Sequence, residues 1–184
     1  MGIDAVNRAV FLDRDGVITR ALVRDGKPYA PVLLAEVEIA PGVPGALDRL
    51  RRAGLLLIVV TNQPDVARGR ASREDVDAIH ARLRQTLPLD DVLVCYHDDG
   101  DGCACRKPAP GMLYAAAVER EIALGGSYLI GDRWRDIEAG HRAGCTTILV
   151  DSGHDEGVTV EPDVRMPDLD RAASWIVTHR GRTS

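Results

Sequence analysis

Three short apolar runs of the sequence end in polar side chains that can bind a metal ion or a phosphate group. The runs are "VFLDRDG", "IVVTNQ" and "YLIGDRWRD", and their polar positions are Asp13, Asp15, Thr61, Asn62, Asp132 and Asp136. If the runs are parallel strands, their carboxyl ends lie along one edge of the sheet, where ligands bind in open α/β folds. The pattern therefore predicts one site assembled from residues that are far apart in the chain.

The carboxylates at the end of the first run predict a magnesium site. Asp13 and Asp15 are two residues apart, so in an extended backbone their side chains point the same way, and Gly16 permits a sharp turn after them. Facing carboxylates repel each other unless a cation or a shared proton relieves them, and Mg²⁺ is typically held by one or two carboxylates plus substrate phosphate. A lone DxD motif is more often a solvated turn. Asp132, at the end of another run, favours the metal site.

The stretch "CYHDDGDGCACRKP" carries a second constellation of metal-ligating side chains. Its ligand spacing is Cys95-x-His97-x5-Cys103-x-Cys105. Three thiolates and an imidazole form the ligand set of a closed structural Zn²⁺ site, which leaves no position open for water. A disulfide and an unmetallated loop are the alternatives, and a reducing compartment disfavours the disulfide.

Length, composition and charge limit the class of protein. A chain of 184 residues with 45% hydrophobic content fits a single domain spanning residues 1–184. A net charge of −5 disfavours a nucleic-acid-binding face. The first residues lack the features of a signal peptide, and the longest apolar run, residues 55–60, is too short to span a bilayer. We therefore expect a soluble cytoplasmic protein with no membrane partner. We expect a monomer, with an oligomer left open.

The alternation of apolar runs and helical stretches predicts a parallel sheet covered by helices on both faces. The predicted strands span residues 9–12, 55–60, 92–96, 128–130 and 147–150. Helices are predicted between them, with Pro44 in one first turn and Ser72 with Asp75 as a capping box; "LDRAASWIV" predicts a last helix. Residues 19–41 do not fit this alternation and predict a loop or short hairpin over the active face, a surface excursion being the alternative.

Four segments in this order resemble the motifs of the haloacid dehalogenase superfamily of aspartate-nucleophile phosphatases: "FLDRDGV", "VVTNQ", Lys107 and "GDRWRD". They cover the chain from about residue 9 to residue 150. The resemblance implies a Rossmann-like, doubly wound and mostly parallel sheet. The DxD form is similar to that of the phosphatase branch. No large insertion separates the motifs, so a large cap domain is not expected.

The resemblance implies a role for each motif residue. Asp13 attacks phosphorus and carries the aspartyl phosphate. Asp15 protonates the leaving alcohol and then activates water, so its carboxyl group is expected to titrate near the working pH. Thr61 and the amide of Asn62 hold phosphoryl oxygens, and Lys107 neutralises the anionic centre.

The same resemblance implies how the metal is held. Mg²⁺ is bound by Asp13, by the backbone carbonyl of Asp15 and by Asp132, and it aligns the phosphate. Asp136 is a further possible ligand, either through water or by orienting its neighbours. The Zn²⁺ of the Cys/His cluster is structural.

The segments "CxH...CxCRKP", "RKPAPGM" and "TNQPDVARG" resemble the branch that contains D-glycero-D-manno-heptose 1,7-bisphosphate 7-phosphatases and histidinol-phosphate phosphatases. This implies removal of the 7-phosphate of the heptose bisphosphate, with histidinol phosphate or another small sugar phosphate as the alternative substrate. A remote alternative is a non-catalytic, zinc-organised module that binds phosphate ligands; its usual sign is loss of Asp13 or Asp15, and both are present. Arg106 is the strongest candidate for substrate contact, ahead of Arg68 and Arg133. The remaining histidines, His80, His141, His154 and His179, are interpreted as surface or packing residues.

Overall fold

The computed structural model describes residues 6–24, 27–151 and 160–179, so His154 and the first residues lie outside its description. The strands are β1 (Ala9–Leu12), β2 (Leu22–Arg24), β3 (Lys27–Tyr29), β4 (Leu56–Asn62), β5 (Asp91–Cys95), β6 (Tyr128–Gly131), β7 (Thr146–Val150) and β8 (Val164–Met166). The helices are α1 (Val43–Arg52), α2 (Arg73–Thr86), α3 (Gly111–Glu119), α4 (Trp134–Ala143) and α5 (Leu169–His179).

Six strands form one sheet in the order β5-β4-β1-β6-β7-β8, and every pairing in it is parallel. The predicted α/β fold and all five predicted strands are confirmed, with boundaries that differ by one or two residues. Strand β8 was not predicted, because "VRM" is short and its middle residue, Arg165, is exposed at the edge of the sheet.

Both faces of the sheet are buried, as expected of a doubly wound sheet. Along β1, Val10 and Leu12 pack into the cluster that includes Leu47 of α1 and Ile176 of α5. The alternate residue Phe11 packs on the other face, where Leu113 of α3 completes a second cluster. This two-sided burial explains why the strands read as continuous apolar runs rather than alternating patterns.

Local sequence determines where helices α1, α2 and α4 begin or end. Ser72 caps α2, because its Oγ accepts a hydrogen bond from the backbone N–H of Asp75 at 3.0 Å. Pro44 lies in the first turn of α1, and Gly144 ends α4 in a left-handed conformation. The predicted first-turn proline and the predicted cap at Ser72 are confirmed, while the Asp75 carboxylate accepts a hydrogen bond from the Ser72 hydroxyl at 2.6 Å.

Residues 19–41 contain a short antiparallel hairpin formed by β2 and β3. Of the two predicted forms, a loop or a short hairpin, the structure has the hairpin. Tyr29 and Ala30, at the end of the hairpin, line the cavity above the carboxyl edge of the main sheet. Within the described ranges the hairpin is the sole sheet besides the six-stranded one. None of the described helices is long and apolar enough to cross a membrane.

Candidate active site

Three carboxylates from separate elements converge at the carboxyl edge of the sheet. Asp13 directly follows β1, Asp132 directly follows β6, and Asp136 lies in the first turn of α4. One carboxylate oxygen from each lies within 4.8 Å of the other two, and all three groups are buried. The convergence predicted from the strand ends is therefore present, with Asp136 in the cluster itself.

Lys107 places a buried positive charge between two of these carboxylates. Its Nζ donates to Asp13 Oδ1 at 2.9 Å, to Asp136 Oδ1 at 2.5 Å and to the carbonyl of Val60 at 2.8 Å. Burial disfavours the charged amine, but the two carboxylates outweigh burial and raise the pKa of Lys107 above its ordinary value. The lysine is thus held charged at the centre of the site.

The pKa of Asp13 is raised despite its contact with Lys107. Burial raises the pKa of Asp13 to about 6, with Lys107 opposing the shift and Asp136 and Asp15 adding to it. A carboxyl group in this state gains from a further cation, because a cation stabilises its ionised form.

Two glycines create the space in which these carboxylates meet. Gly16 has φ +85°, and a side chain there would overlap the carboxylate of Asp132. A Cβ at Gly131 would likewise overlap the side chain of Asp136. Both positions therefore require glycine for close approach, and Gly16 requires it for its backbone conformation as well.

Asp15 points into a separate network centred on Arg14. Arg14 Nε donates to Asp15 Oδ1 at 2.9 Å and Nη2 donates to Oδ2 at 3.0 Å. Thr19 Oγ1 and Gln63 Nε2 donate to the same carboxylate at 3.0 and 2.9 Å. Burial alone would raise the pKa of Asp15, but the charge of Arg14 and these hydrogen bonds hold it below its ordinary value. The expected titration near the working pH is therefore not a property of this arrangement.

Arg14 is fully buried and is itself held from helix α2. Its Nη1 lies 3.0 Å from Nε2 of His80. Because arginine only donates, this Nε2 is the acceptor and the imidazole is neutral. Burial and the charge of Arg14 lower the pKa of His80 to about 4. The interpretation of His80 as an ordinary surface or packing residue is corrected. His80 is a buried hydrogen-bonding partner of Arg14, which in turn binds Asp15.

The two polar residues at the end of β4 differ in what they offer. Thr61 is buried, and its Oγ1 accepts a hydrogen bond from Gln63 Nε2 at 2.9 Å. Asn62 lines the cavity, but its side chain pairs with the backbone of Lys107, donating to the carbonyl at 3.0 Å and accepting from the N–H at 3.1 Å. The Asn62 side chain therefore anchors Lys107, which leaves the backbone amide of Asn62 as the group for a ligand.

The four predicted zinc ligands form one compact cluster. The three sulfur–sulfur distances are 3.1 Å for Cys95–Cys105, 3.4 Å for Cys103–Cys105 and 3.6 Å for Cys95–Cys103. His97 Nδ1 lies 3.5 Å from Cys95 Sγ and 3.3 Å from Cys105 Sγ. Tetrahedral Zn–S bonds of about 2.3 Å separate ligand atoms by about 3.8 Å, so the cluster has nearly the dimensions of a Zn²⁺ site. Cys95, Cys103, Cys105 and Cys145 are not joined by disulfides in this structure, and the cluster geometry favours a metal site.

A cavity of about 380 Å³ opens over the carboxylate cluster. Asp13, Asp15 and Lys107 line its floor, and its wall carries the arginines Arg68, Arg70, Arg106, Arg133 and Arg135. Asp99 lies among these arginines, and hydrogen bonds from Arg106 and then Arg135 lower its pKa to about 2. The cavity therefore has a carboxylate floor and a strongly basic wall.

Comparison with known proteins gives the family. Residues 104–172 match the family model of HAD-hydrolase-like proteins. The D-glycero-beta-D-manno-heptose-1,7-bisphosphate 7-phosphatase of Pseudomonas putida is 38% identical over 154 residues, which cover 81% of this chain and 85% of that protein. The chain belongs to this family of HAD phosphatases.

Other members of the HAD phosphatase family extend the match along the chain. The D-glycero-D-manno-heptose-1,7-bisphosphate 7-phosphatase of Thermosynechococcus vestitus is 34% identical and covers 93% of this chain and 96% of its own. The crystal structure of the D,D-heptose 1,7-bisphosphate phosphatase of Bordetella bronchiseptica, complexed with magnesium and phosphate, superposes with a TM-score of 0.82. That structure is 31% identical and covers 94% of this chain and 99% of its own. The predicted family, fold and phosphatase class are confirmed.

Sequence reasoning about this HAD phosphatase missed the residues that hold Asp15 and part of the basic wall. Arg14 and Gln63 both hold Asp15, and Arg70 and Arg135 contribute to the basic wall. The position of Arg14 between two aspartates at the end of a strand could have indicated its role, because a side chain at that position is buried. The roles of Gln63 and Arg135 depend on contacts between distant segments that no local pattern indicates.

Proposed function

We propose that this phosphatase is a Mg²⁺-dependent phosphomonoesterase that removes the 7-phosphate of D-glycero-D-manno-heptose 1,7-bisphosphate. The proposal rests above all on the buried contact of Lys107 with Asp13 and Asp136 beside Asp132, in a chain of the heptose bisphosphate phosphatase family. The basic wall of the cavity supports a substrate that carries a second phosphate.

Asp13 is the proposed nucleophile. Its Oδ1 is bound by Lys107, so the other oxygen is the one to attack phosphorus and form the aspartyl phosphate. The bond that breaks joins phosphorus to the sugar oxygen, and Asp15 supplies the proton that this oxygen takes. Asp15 then removes a proton from the water that hydrolyses the intermediate. Since Arg14 and the other hydrogen bonds hold the pKa of Asp15 below its ordinary value, the proposal requires Asp15 to take up a proton when the phosphate dianion binds.

The carboxylate cluster is the proposed Mg²⁺ site. Asp13, Asp132 and Asp136 present buried oxygens within 4.8 Å of one another, and burial raises the pKa of Asp13 to about 6. Both observations fit a hard cation bound by oxygen. The backbone carbonyl of Asp15 is a further proposed ligand. When bound, Mg²⁺ aligns the phosphate and neutralises its charge.

The Cys/His cluster is the proposed structural Zn²⁺ site. Its four ligand atoms leave no coordination position for a substrate, so this ion holds the loop that leads to Arg106 and Lys107. Cysteines placed as metal ligands rather than in disulfides also support a reducing compartment, and we infer a cytoplasmic protein. We further infer that residues 1–184 form a single domain.

Phosphate contacts are assigned to the floor and wall of the cavity. Lys107 and the backbone amide of Asn62 are the proposed partners of the phosphate under attack, with Thr61 supporting them from beneath. Arg106 and Arg133 line the wall and are the proposed partners of the rest of the substrate.

A steady-state substrate panel tests the proposal. Heptose 1,7-bisphosphate, histidinol phosphate and a set of hexose phosphates are compared with and without Mg²⁺. We expect the highest kcat/KM with the bisphosphate, release of its 7-phosphate and no turnover in Asp13→Asn. A preference for histidinol phosphate assigns the chain to that substrate instead. Full activity in Asp13→Asn overturns the nucleophile assignment.

A further inference from the structure

Three arginines from separate segments converge on one carboxylate at the cavity mouth, that of Asp99. Arg106 Nε lies 2.9 Å and Arg135 Nη1 lies 2.6 Å from Asp99 Oδ1. Arg68 Nη2 lies 3.5 Å from Asp99 Oδ2. All four residues line the same cavity as Asp13 and Lys107.

The position of Asp99 is that of an anion in a binding site. Arg106 follows the Cys/His cluster, Arg135 belongs to α4, and Arg68 lies in the turn after β4. Guanidinium groups gathered from three segments recognise phosphate as readily as carboxylate, with which they make the same charge-assisted hydrogen bonds. The Asp99 carboxylate therefore occupies a site whose chemistry suits a phosphate group.

Asp99 is also able to leave that site. Its side chain is 54% exposed and it belongs to the loop rather than to the sheet. An ion pair between an arginine and a half-exposed carboxylate contributes little to stability. Rotation of one side chain into solvent would therefore free Arg106 and Arg135 without unfolding the loop.

We propose that Asp99 limits the preference for a bisphosphate, because it competes with the second, unhydrolysed phosphate of the substrate for Arg106 and Arg135. The inference rests on the proposed function, since it requires a bisphosphate substrate. A phosphate dianion carries more charge and more acceptor oxygens than a carboxylate and displaces it. A hydroxyl group carries no charge and leaves Asp99 in place. Asp99 thus lowers the affinity for a substrate that carries the second phosphate and leaves the affinity for the monophosphate unchanged.

The test compares two substrates that differ only in the second phosphate, heptose 1,7-bisphosphate and heptose 7-phosphate. The readout is the ratio of their kcat/KM values, bisphosphate over monophosphate. In Asp99→Asn we expect this ratio to rise at least fivefold, through a lower KM for the bisphosphate. In Arg135→Gln we expect the ratio to fall at least fivefold.

Asp101→Asn is the matched control. It removes the same charge two residues along the loop and retains an oxygen to accept the hydrogen bond from the Asp98 N–H, which spans 2.8 Å. We expect its ratio to stay within twofold of the wild-type ratio, and thermal midpoints verify that each variant is folded.

The outcomes separate the inference from the function on which it rests. If the wild type hydrolyses the bisphosphate and the ratio in Asp99→Asn is unchanged or lower, the competition is refuted and the proposed function stands. An equal rise in Asp101→Asn also refutes it, because the effect is then general electrostatics. If the wild type does not hydrolyse the bisphosphate, the proposed function fails first.

Discussion

Arg14 binds both carboxylate oxygens of Asp15, its neighbour in the chain, through Nε and Nη2 at 2.9 and 3.0 Å. Adjacent residues of an extended strand point to opposite sides, but both residues lie beyond the end of β1, in a turn in which the N–H groups of Ile18 and Thr19 donate to the Arg14 carbonyl. The proposed acid/base carboxylate is therefore oriented by a fully buried cation rather than by solvent.

Replacing Arg14 by lysine tests this orientation. Lysine keeps the charge but loses the planar fork, so Asp15 is no longer fixed by two parallel hydrogen bonds. We expect kcat to fall by about tenfold or more with a small change in KM, since misplaced catalytic groups cost rate more than binding. The control is Arg20→Lys, which alters an exposed pair with Glu38. An unchanged kcat in Arg14→Lys would contradict the assigned role.

His80 predicts a pH dependence of stability. The neutral ring faces the charged groups Arg14, Asp15 and Asp77, and its pKa is lowered from 6.5 to about 4 in the folded protein. The unfolded chain therefore binds a proton at higher pH than the folded chain does. The stabilisation is fully present above pH 6.5 and is lost as the pH falls towards 4.

The measurement is urea unfolding of the wild type and of His80→Gln between pH 7.5 and pH 4. Glutamine can still accept the hydrogen bond from Arg14 but does not titrate. We expect the wild type to lose about 3 kcal/mol more than the variant across this range. If the free energies of unfolding of the two proteins changed equally with pH, the pKa of His80 would be the same in the folded and unfolded states.

Lys107→Met removes the buried charge while keeping most of the side-chain volume. Asp13 and Asp136 then lose their shared partner, and breaking such a buried pair costs about 3–5 kcal/mol. Because loss of the cation raises the pKa of Asp13 further, the variant is expected to be more stable at pH 5.5 than at pH 8. Activity is expected to fall by about 10²- to 10³-fold or more. Equal stability at the two pH values would contradict the proposed charge balance.

Cys105→Ser tests the structural metal. Protein purified without chelator is expected to contain one zinc per chain, and the variant is expected to lose that zinc and to unfold at a lower temperature. Cys145→Ala is the control, because Cys145 is a buried thiol of the same apolar cluster as Cys95 but is not one of the four converging ligands. A wild type that contains no zinc and has the same thermal midpoint as Cys105→Ser would contradict the proposed zinc site.

Elements with strong local signals were predictable from the sequence. The buried strands are continuous apolar runs in the sequence, and the rule that parallel strands end at one edge of a sheet predicts that Asp13 and Asp132 lie together. The Cys/His spacing likewise predicted its own cluster, because all four ligands lie within one short loop.

Contacts between distant side chains were not predictable. His80 reaches Arg14 across 66 residues of sequence, and the contact depends on how α2 packs beside the strand end. The same is true of Arg135 and Asp99, which are 36 residues apart. Hydrophobic periodicity fixes which face of a helix is buried, but it carries no information about which polar atoms meet there.

The double hydrogen bond between Asn62 and the backbone of Lys107 makes the intervening loop exchangeable. Strand β5 holds the chain up to Cys95, and Asn62 holds it again at Lys107, so both ends of residues 96–106 are fixed by bonds that the loop itself does not make. The proposed phosphoryl chemistry thus lies outside this loop, and the loop contributes Asp99 and Arg106 to the lining of the cavity. Transplanting residues 96–106 between relatives is a direct way to redesign substrate preference while leaving the reaction centre as it is.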